Sequence, residues 1–254
     1  MKKILLAVVV LYFAAASSCK KTSPVVQPTT DSLKVGLIAY YQFNNSGVDS
    51  SGRKNDVSYY ANVTATTDRF GKANSAFSFN GTSSYLVVPD KPELRLNNTD
   101  FSLNAWVNLK EYRPSFGNNV LSKHVTGNDN GWAWGVAGLG SITTVGIVTF
   151  GPGGSSVTER GTKAVGLNQW HMITSTYKVL TKEFTIYIDG ELDIVIKNNF
   201  PSPNPDINAN LYIGRDDPSA SFDGYFVNGS LDDIRIYNRL LTPAQVKTLF
   251  THKN

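Results

Sequence analysis

The apolar positions of this chain fall mostly at intervals of two, in short runs separated by glycine, proline and asparagine. Phe101, Leu103, Ala105, Val107 and Leu109 alternate with polar residues and Trp106 over 101–109, the pattern of a strand inside a sandwich. Similar runs occupy 35–43, 75–88, 119–123, 131–136, 141–150, 170–177, 183–196 and 211–214. Two of them contain hairpin turns on chemical grounds alone, Asn80-Gly81 and Asp189-Gly190. A last strand is expected over 230–237, with Ser230, Asp232, Ile234 and Ile236 on one face and Leu231, Asp233, Arg235 and Tyr237 on the other. If the isoleucine face is inward, Asp232 is buried as well, and a bare buried carboxylate costs several kcal/mol unless a cation or donors meet it. Helical spacing is expected at one place, just after this strand. Thr242-Pro243-Ala244-Gln245 offers a hydroxyl N-cap, proline at the first helical position and a reciprocal glutamine, a capping box. Val246, Leu249 and Phe250 then form one apolar side. Roughly a dozen short strands and one terminal helix predict an all-β, two-sheet antiparallel jelly-roll sandwich over 35–254.

Composition agrees with this reading. Aromatic residues make up 11% of the 254, with 21 Gly and 11 Pro, as a turn-rich sheet protein requires. The net charge is +4, but Lys2 and Lys3 lie in the leader, which leaves 22 basic against 20 acidic residues. With no dense basic patch, nucleic acid is not an expected partner. Residues 1–18 have a charged start, an apolar stretch over 4–16 and small residues before Cys19, the layout of a signal peptide. Ala16-Ser17-Ser18-Cys19 resembles a bacterial lipobox, which implies a lipid on Cys19, the single cysteine of the chain. Residues 19–34 form a polar, proline-bearing tether. The expected location is therefore the bacterial cell envelope, on the outer membrane, with the leaflet left open.

The C-terminal segment carries a resemblance. Phe226, Gly229, Leu231, Asp232, Asp233, Ile234, Arg235, Ile236, Tyr237, Asn238 and Arg239 fill the pattern F-x-G-x-[IL]-D-[DE]-[IV]-R-[IV]-[YF]-N-R, with Leu240 where a smaller residue is more usual. This is similar to the last strand of the laminin-G-like, concanavalin A-like jelly rolls of bacteria. Phe79-Asn80-Gly81 with Tyr85, the strand 101–107, Trp170-His171-Met172 and Tyr187-Ile188-Asp189-Gly190 resemble further stretches of the same family. Asp49, Ser50, Ser51, Gly52 and Asn55 match its D-S-S-G-N-G-N loop, with Arg53 and Lys54 in place of the middle Asn-Gly. Such a loop supplies the hard oxygen donors that Ca²⁺ takes. The resemblance implies a structural calcium held by Asp49, Ser51 and Asn55 and shared with Asp232, and backbone carbonyls could serve beside the two cationic residues.

The family hosts lectins, which directs attention to aromatic residues. Trp132 and Trp134, two residues apart, could pack a core or form a platform for sugar rings. His124, Asn128, Asp129 and Asn130 in the adjacent loop offer polar contacts, and Arg215 with Asp217 begins a second possible ligand rim. Glu191-Leu192-Asp193 resembles the start of a glycanase motif, but Ile196 stands where the second glutamate belongs. Retaining hydrolysis needs two carboxyl groups about 5–5.5 Å apart, so no catalytic residue is assigned. The expected function is a non-catalytic, lipid-anchored module binding a glycan, or alternatively an envelope protein.

Overall fold

The computed structural model describes residues 30–113, 117–125, 130–139, 142–151, 155–201, 208–217 and 225–252. The leader, Cys19, most of the tether, Asn128 and Asp129 lie outside the described residues. The strands of the N-terminal half are β1 (Leu37–Tyr41), β2 (Tyr59–Ala61), β3 (Thr64–Thr66), β4 (Ala76–Asn80), β5 (Tyr85–Val88), β6 (Phe101–Leu109) and β7 (Asn118–Val125). Those that follow are β8 (Asn130–Leu139), β9 (Ile142–Gly151), β10 (Ser155–Ala164), β11 (His171–Lys178), β12 (Glu183–Ile188), β13 (Glu191–Lys197), β14 (Leu211–Ile213) and β15 (Asn228–Tyr237). One α-helix, α1 (Pro243–Thr251), comes last. The strands make two antiparallel sheets. An eight-stranded sheet runs β13-β12-β11-β6-β15-β4-β3, with β1 also on β15, and a seven-stranded sheet runs β10-β9-β8-β7-β14-β5-β2.

Alternation places the core between them. Phe101, Leu103, Ala105, Val107 and Leu109 of β6 face Leu86, Val88, Trp132, Trp134, Val136, Leu211 and Ile213 of the other sheet in one apolar cluster. Trp106, the odd residue of β6, lies on the outer face of the eight-stranded sheet with Met172, Tyr187 and Tyr237. There α1 covers it: Phe250 stacks on Trp106 at 5.6 Å between ring centroids, and Val246 and Leu249 are buried. The capping box forms as the sequence predicts. Gln245 N donates to Thr242 Oγ1 at 3.2 Å and Thr242 N donates to Gln245 Oε1 at 3.0 Å.

Two expectations need correction. The strict alternation of the last strand breaks at Asp233, whose φ of +47° belongs to a bulge between Asp232 and Arg235. The bulge lets Leu231, Ile234 and Ile236 all enter the core, and it turns Asp232, level with Trp106, to the outer face of the sheet. Three strands, β2, β3 and β10, are additional to those expected. β10 reads SSVTERGTKA, too polar for apolar alternation, because it is an edge strand with few buried positions. Its edge is tied to the other sheet. Asp193 of β13 accepts from Thr162 N at 2.9 Å, from Lys163 N at 3.2 Å and from Thr162 Oγ1 at 2.5 Å. Glu191 pairs instead with Lys247 of α1. The two carboxylates of the glycanase-like stretch thus hold structural elements together, and they do not face one another across a cleft.

Candidate functional site

The calcium expectation meets a full set of donors. Asp49, 7% exposed, accepts at Oδ1 from Tyr40 N and Ser51 N, both at 2.8 Å. Its Oδ2 accepts from Ser51 Oγ at 2.7 Å and from Asn55 N at 2.9 Å. Four donors on two oxygens use the lone pairs a metal would need. The loop carbonyls are engaged as well: Lys91 Nζ donates to Arg53 O at 3.1 Å and to Lys54 O at 2.6 Å, and Tyr41 OH donates to Asn55 O at 2.7 Å. Asn55 Oδ1 alone among the expected ligand atoms of this loop is a buried acceptor without a partner, whereas Ca²⁺ takes six to eight oxygens. Nor does the geometry bring Asp232 to Asp49. Tyr40 lies between the loop and the last strand, its N–H on Asp49 and its phenol donating to Asp233 Oδ1 at 2.7 Å. These residues do not fit a calcium ion. An ammonium and a ring of amides hold the loop.

Asp232 has its cation, but that cation is Arg69. Arg69 Nη1 lies 2.9 Å from Asp232 Oδ2 and 2.6 Å from Asp233 Oδ2, with all three side chains nearly buried. Its guanidinium also sits 4.5 Å from the Trp106 ring centroid. Arg235 completes the group, stacked 3.9 Å over the Tyr40 ring and 3.4 Å from Asp233 Oδ1. Burial, and then the neighbouring Asp233 charge, push the Asp232 carboxyl up to about 7. Burial would raise Asp233 too, but Arg235 and Arg69 hold it below the usual carboxylate range. Asp232 therefore binds a proton in the folded state that the unfolded chain has released, over the interval from about pH 4 to 7. Its contribution to stability is complete below that interval and is lost as pH rises through 7. Unfolding followed from pH 5 to pH 8 is expected to show stability falling over this range, and Asp232→Asn is expected to remove that slope. A slope unchanged in the variant would assign it to other groups.

Both candidate tryptophans point inward. Trp134 is fully buried and donates from Nε1 to Ser175 Oγ at 2.9 Å; Trp132 is 2% exposed and belongs to the same core cluster. Neither forms a platform on the outer face, because Ala133 and Gly135 take the outward positions of β8. Asn130 is also buried, paired in register with Val125.

The remaining candidates converge on the outer face of the seven-stranded sheet. His124 stacks on Phe150 of β9 at 4.1 Å and 7°, and its Nδ1 lies 3.2 Å from Asp216 Oδ1. Asp216 also accepts from Ser122 Oγ at 2.5 Å and from Asp217 N at 2.8 Å. A carboxylate only accepts, so Nδ1 carries the proton of this contact, while Nε2 is buried and without a partner. Beside this pair Arg215 rests among three rings, 4.9 Å from Tyr85, 4.7 Å from Phe226 and 5.9 Å from Tyr212. Its Nε donates to Asp216 O at 2.7 Å. Asp217 is close enough to Tyr212 to help burial push that phenol up. Tyr59 extends the row, 6.0 Å from Tyr85 and 54% exposed, while Tyr85 and Tyr212 are half-buried.

The sequence points to His124 and to the rim of Arg215, Asp216 and Asp217, but not to Tyr59, Tyr85, Tyr212 or Phe150 as ligand contacts. A partial signal existed. In β5 and β14, Tyr85 and Tyr212 alternate with Leu86, Val88, Leu211 and Ile213, which puts them on the face opposite the core. What alternation does not carry is that β2, β5 and β14 lie side by side.

Residues 80–247 match the family model of the concanavalin A-like lectin/glucanases superfamily, so the chain belongs to that superfamily. No curated protein sequence matches it. Among solved structures, the binding domain of Paraclostridial Mosquitocidal Protein 1 is similar, with a TM-score of 0.67 at 17% identity, covering 86% of this chain and 52% of that one. Domain 4 of AbnA, a GH43 extracellular arabinanase from Geobacillus stearothermophilus solved in complex with arabinotriose, gives 0.61 at 23% identity, covering 85% and 98%. A botulinum neurotoxin type C structure, described by cell entry dependent on two ganglioside molecules, gives 0.63 at 16%, covering 87% and 52%. The chain thus spans about half of either toxin chain but nearly all of the arabinanase domain. At these identities the likeness is one of fold.

Proposed function

We propose that this protein is a non-catalytic binding module whose ligand is a glycan, taken on the outer face of the seven-stranded sheet. The observation that carries the reading is the row of tyrosine rings at 59, 85 and 212, with the Arg215 guanidinium laid over two of them. Rings with polar tips offer an apolar surface to the C–H face of a sugar and hydroxyls to its edge. Arg215, Asp217 and the His124–Asp216 pair add fixed donors and acceptors beside that surface, which is how binding sites orient a ligand. The ganglioside and arabinotriose named for two structures of the same fold support this ligand class. No pair of carboxylates suited to glycoside hydrolysis was found at Glu191 and Asp193. In this reading a lipid on Cys19 holds the module at the bacterial envelope. Palmitate labelling of the protein and of Cys19→Ser checks that step, and label retained by the variant excludes it.

Tyr212→Ala and Arg215→Met are each expected to weaken glycan binding about tenfold or more, corresponding to about 1.4 kcal/mol, while the melting temperature stays near that of the unaltered chain. Unchanged affinity in both variants would move the ligand off this face. A protein ligand is the second reading, favoured by Leu180, Leu192 and Val195, which are 86%, 51% and 49% exposed around β12 and β13. That reading predicts loss of partner capture in Leu192→Ser and no effect of Tyr212→Ala.

A further inference from the structure

At one end of the sandwich, where Phe101 of β6 and Tyr177 of β11 approach β8 and β9, a cleft of about 70 Å³ opens between the sheets. Its walls are aromatic and aliphatic: Trp132, Tyr177, Phe200, Leu96 and Val179, with the exposed Asn199 at its edge. Tyr177 and Phe200 stack at 4.4 Å and 15°, which fixes one wall. Among the described residues no charged side chain lines the cleft. Two of its lining groups lack partners. Trp132 Nε1 and Thr149 Oγ1 are buried, in residues 2% and 4% exposed, and neither makes a hydrogen bond. Native proteins seldom leave such groups unmatched, because a buried unpaired donor or hydroxyl costs about 1–3 kcal/mol. Their register explains how they meet, since Trp132 pairs with Thr149 across β8 and β9 and both side chains face inward.

We propose that this cleft is a second ligand site, which takes one neutral sugar ring from the end of a glycan. The indole N–H asks for an acceptor oxygen, the threonine hydroxyl can give or accept one bond, and the rings offer faces to C–H groups. The described lining is aromatic, aliphatic, amide and hydroxyl, a set that matches a neutral sugar. At about 10–15 Å³ for each water position, the cleft holds about five to seven waters, which suits one ring and not two. It shares no lining residue with the tyrosine face, so the two sites stand or fall separately.

The test is saturation-transfer NMR and calorimetry on the protein with a panel of neutral monosaccharides, followed by variants. Thr149→Val keeps volume and removes the hydroxyl; Trp132→Phe keeps an aromatic ring and removes the N–H. Each is expected to lower affinity for the bound sugar about 2–10-fold, the loss of one hydrogen bond, with the fold retained. Binding by both Thr149→Val and Trp132→Phe at the original affinity overturns the proposal. So does failure of every neutral monosaccharide to bind, particularly if Thr149→Val then raises the melting temperature by removing a stranded hydroxyl. Sugar binding lost in Tyr212→Ala but kept in Thr149→Val assigns all recognition to the sheet face and overturns it too.

Discussion

Arg69→Ala is expected to cost about 3–5 kcal/mol of folding stability at pH 8, the range found when one partner of a buried ion pair is removed. The reason lies in what the arginine leaves behind. Asp232 and Asp233 are 2% and 0% exposed, and Arg69 touches both. Arg235 remains close to Asp233, so Asp232 becomes the uncompensated charge. Truncation also strips the guanidinium from the Trp106 ring, on whose surface Phe250 of α1 is stacked. Chemical denaturation at two pH values checks the account. The cost is expected to be smaller at pH 5, where Asp232 takes up a proton, and a cost equal at both pH values would show that packing rather than charge dominates.

The second large effect belongs to a glycine. Gly131 of β8 has φ +117°, and a Cβ built there would lie 2.0 Å from the Lys123 carbonyl oxygen of β7. Gly131→Ala therefore adds backbone strain of about 1–3 kcal/mol to an overpacking cost of about 1–3 kcal/mol. A total of about 2–6 kcal/mol is expected in equilibrium unfolding. Because His124 faces Gly131 in register, separating these strands also moves the histidine off Phe150. Glycan affinity should fall along with stability, whereas Tyr212→Ala should change affinity alone. An alanine variant as stable as the original would contradict the close approach of β7 and β8 at this point.

How far the sequence carries depends on which forces are local. Strand alternation in β6, the Asp189-Gly190 turn and the Thr242–Gln245 cap are decided by residues within a few positions of each other, and each formed as expected. The need of Asp232 for a cation was legible too, since a buried carboxylate demands one wherever the chain runs. Its partner was not, because Arg69 lies 163 positions away in a loop without apolar periodicity. The bulge at Asp233 was hidden for a related reason: alternation assumes one residue per step, and only the pairing of β15 with β6 shows the extra one. The same limit misplaced the aromatic platform. Trp132 and Trp134 are large and adjacent on one face, but which face is inward follows from the neighbours of β8, and those neighbours turn the indoles into the core. The tyrosines that face outward come from three strands distant in sequence.

The central claim, a glycan bound on the tyrosine face without calcium, is met most directly by one measurement. A glycan array probed with the protein and with Tyr212→Ala, each in calcium and again in EDTA, reads ligand, site and metal together. The account predicts reproducible binding of one glycan class, equal in calcium and EDTA, and weakened about tenfold or more in the Tyr212 variant. Binding that disappears in EDTA, or that persists undiminished in Tyr212→Ala, would contradict it, as would an array with no signal from folded protein.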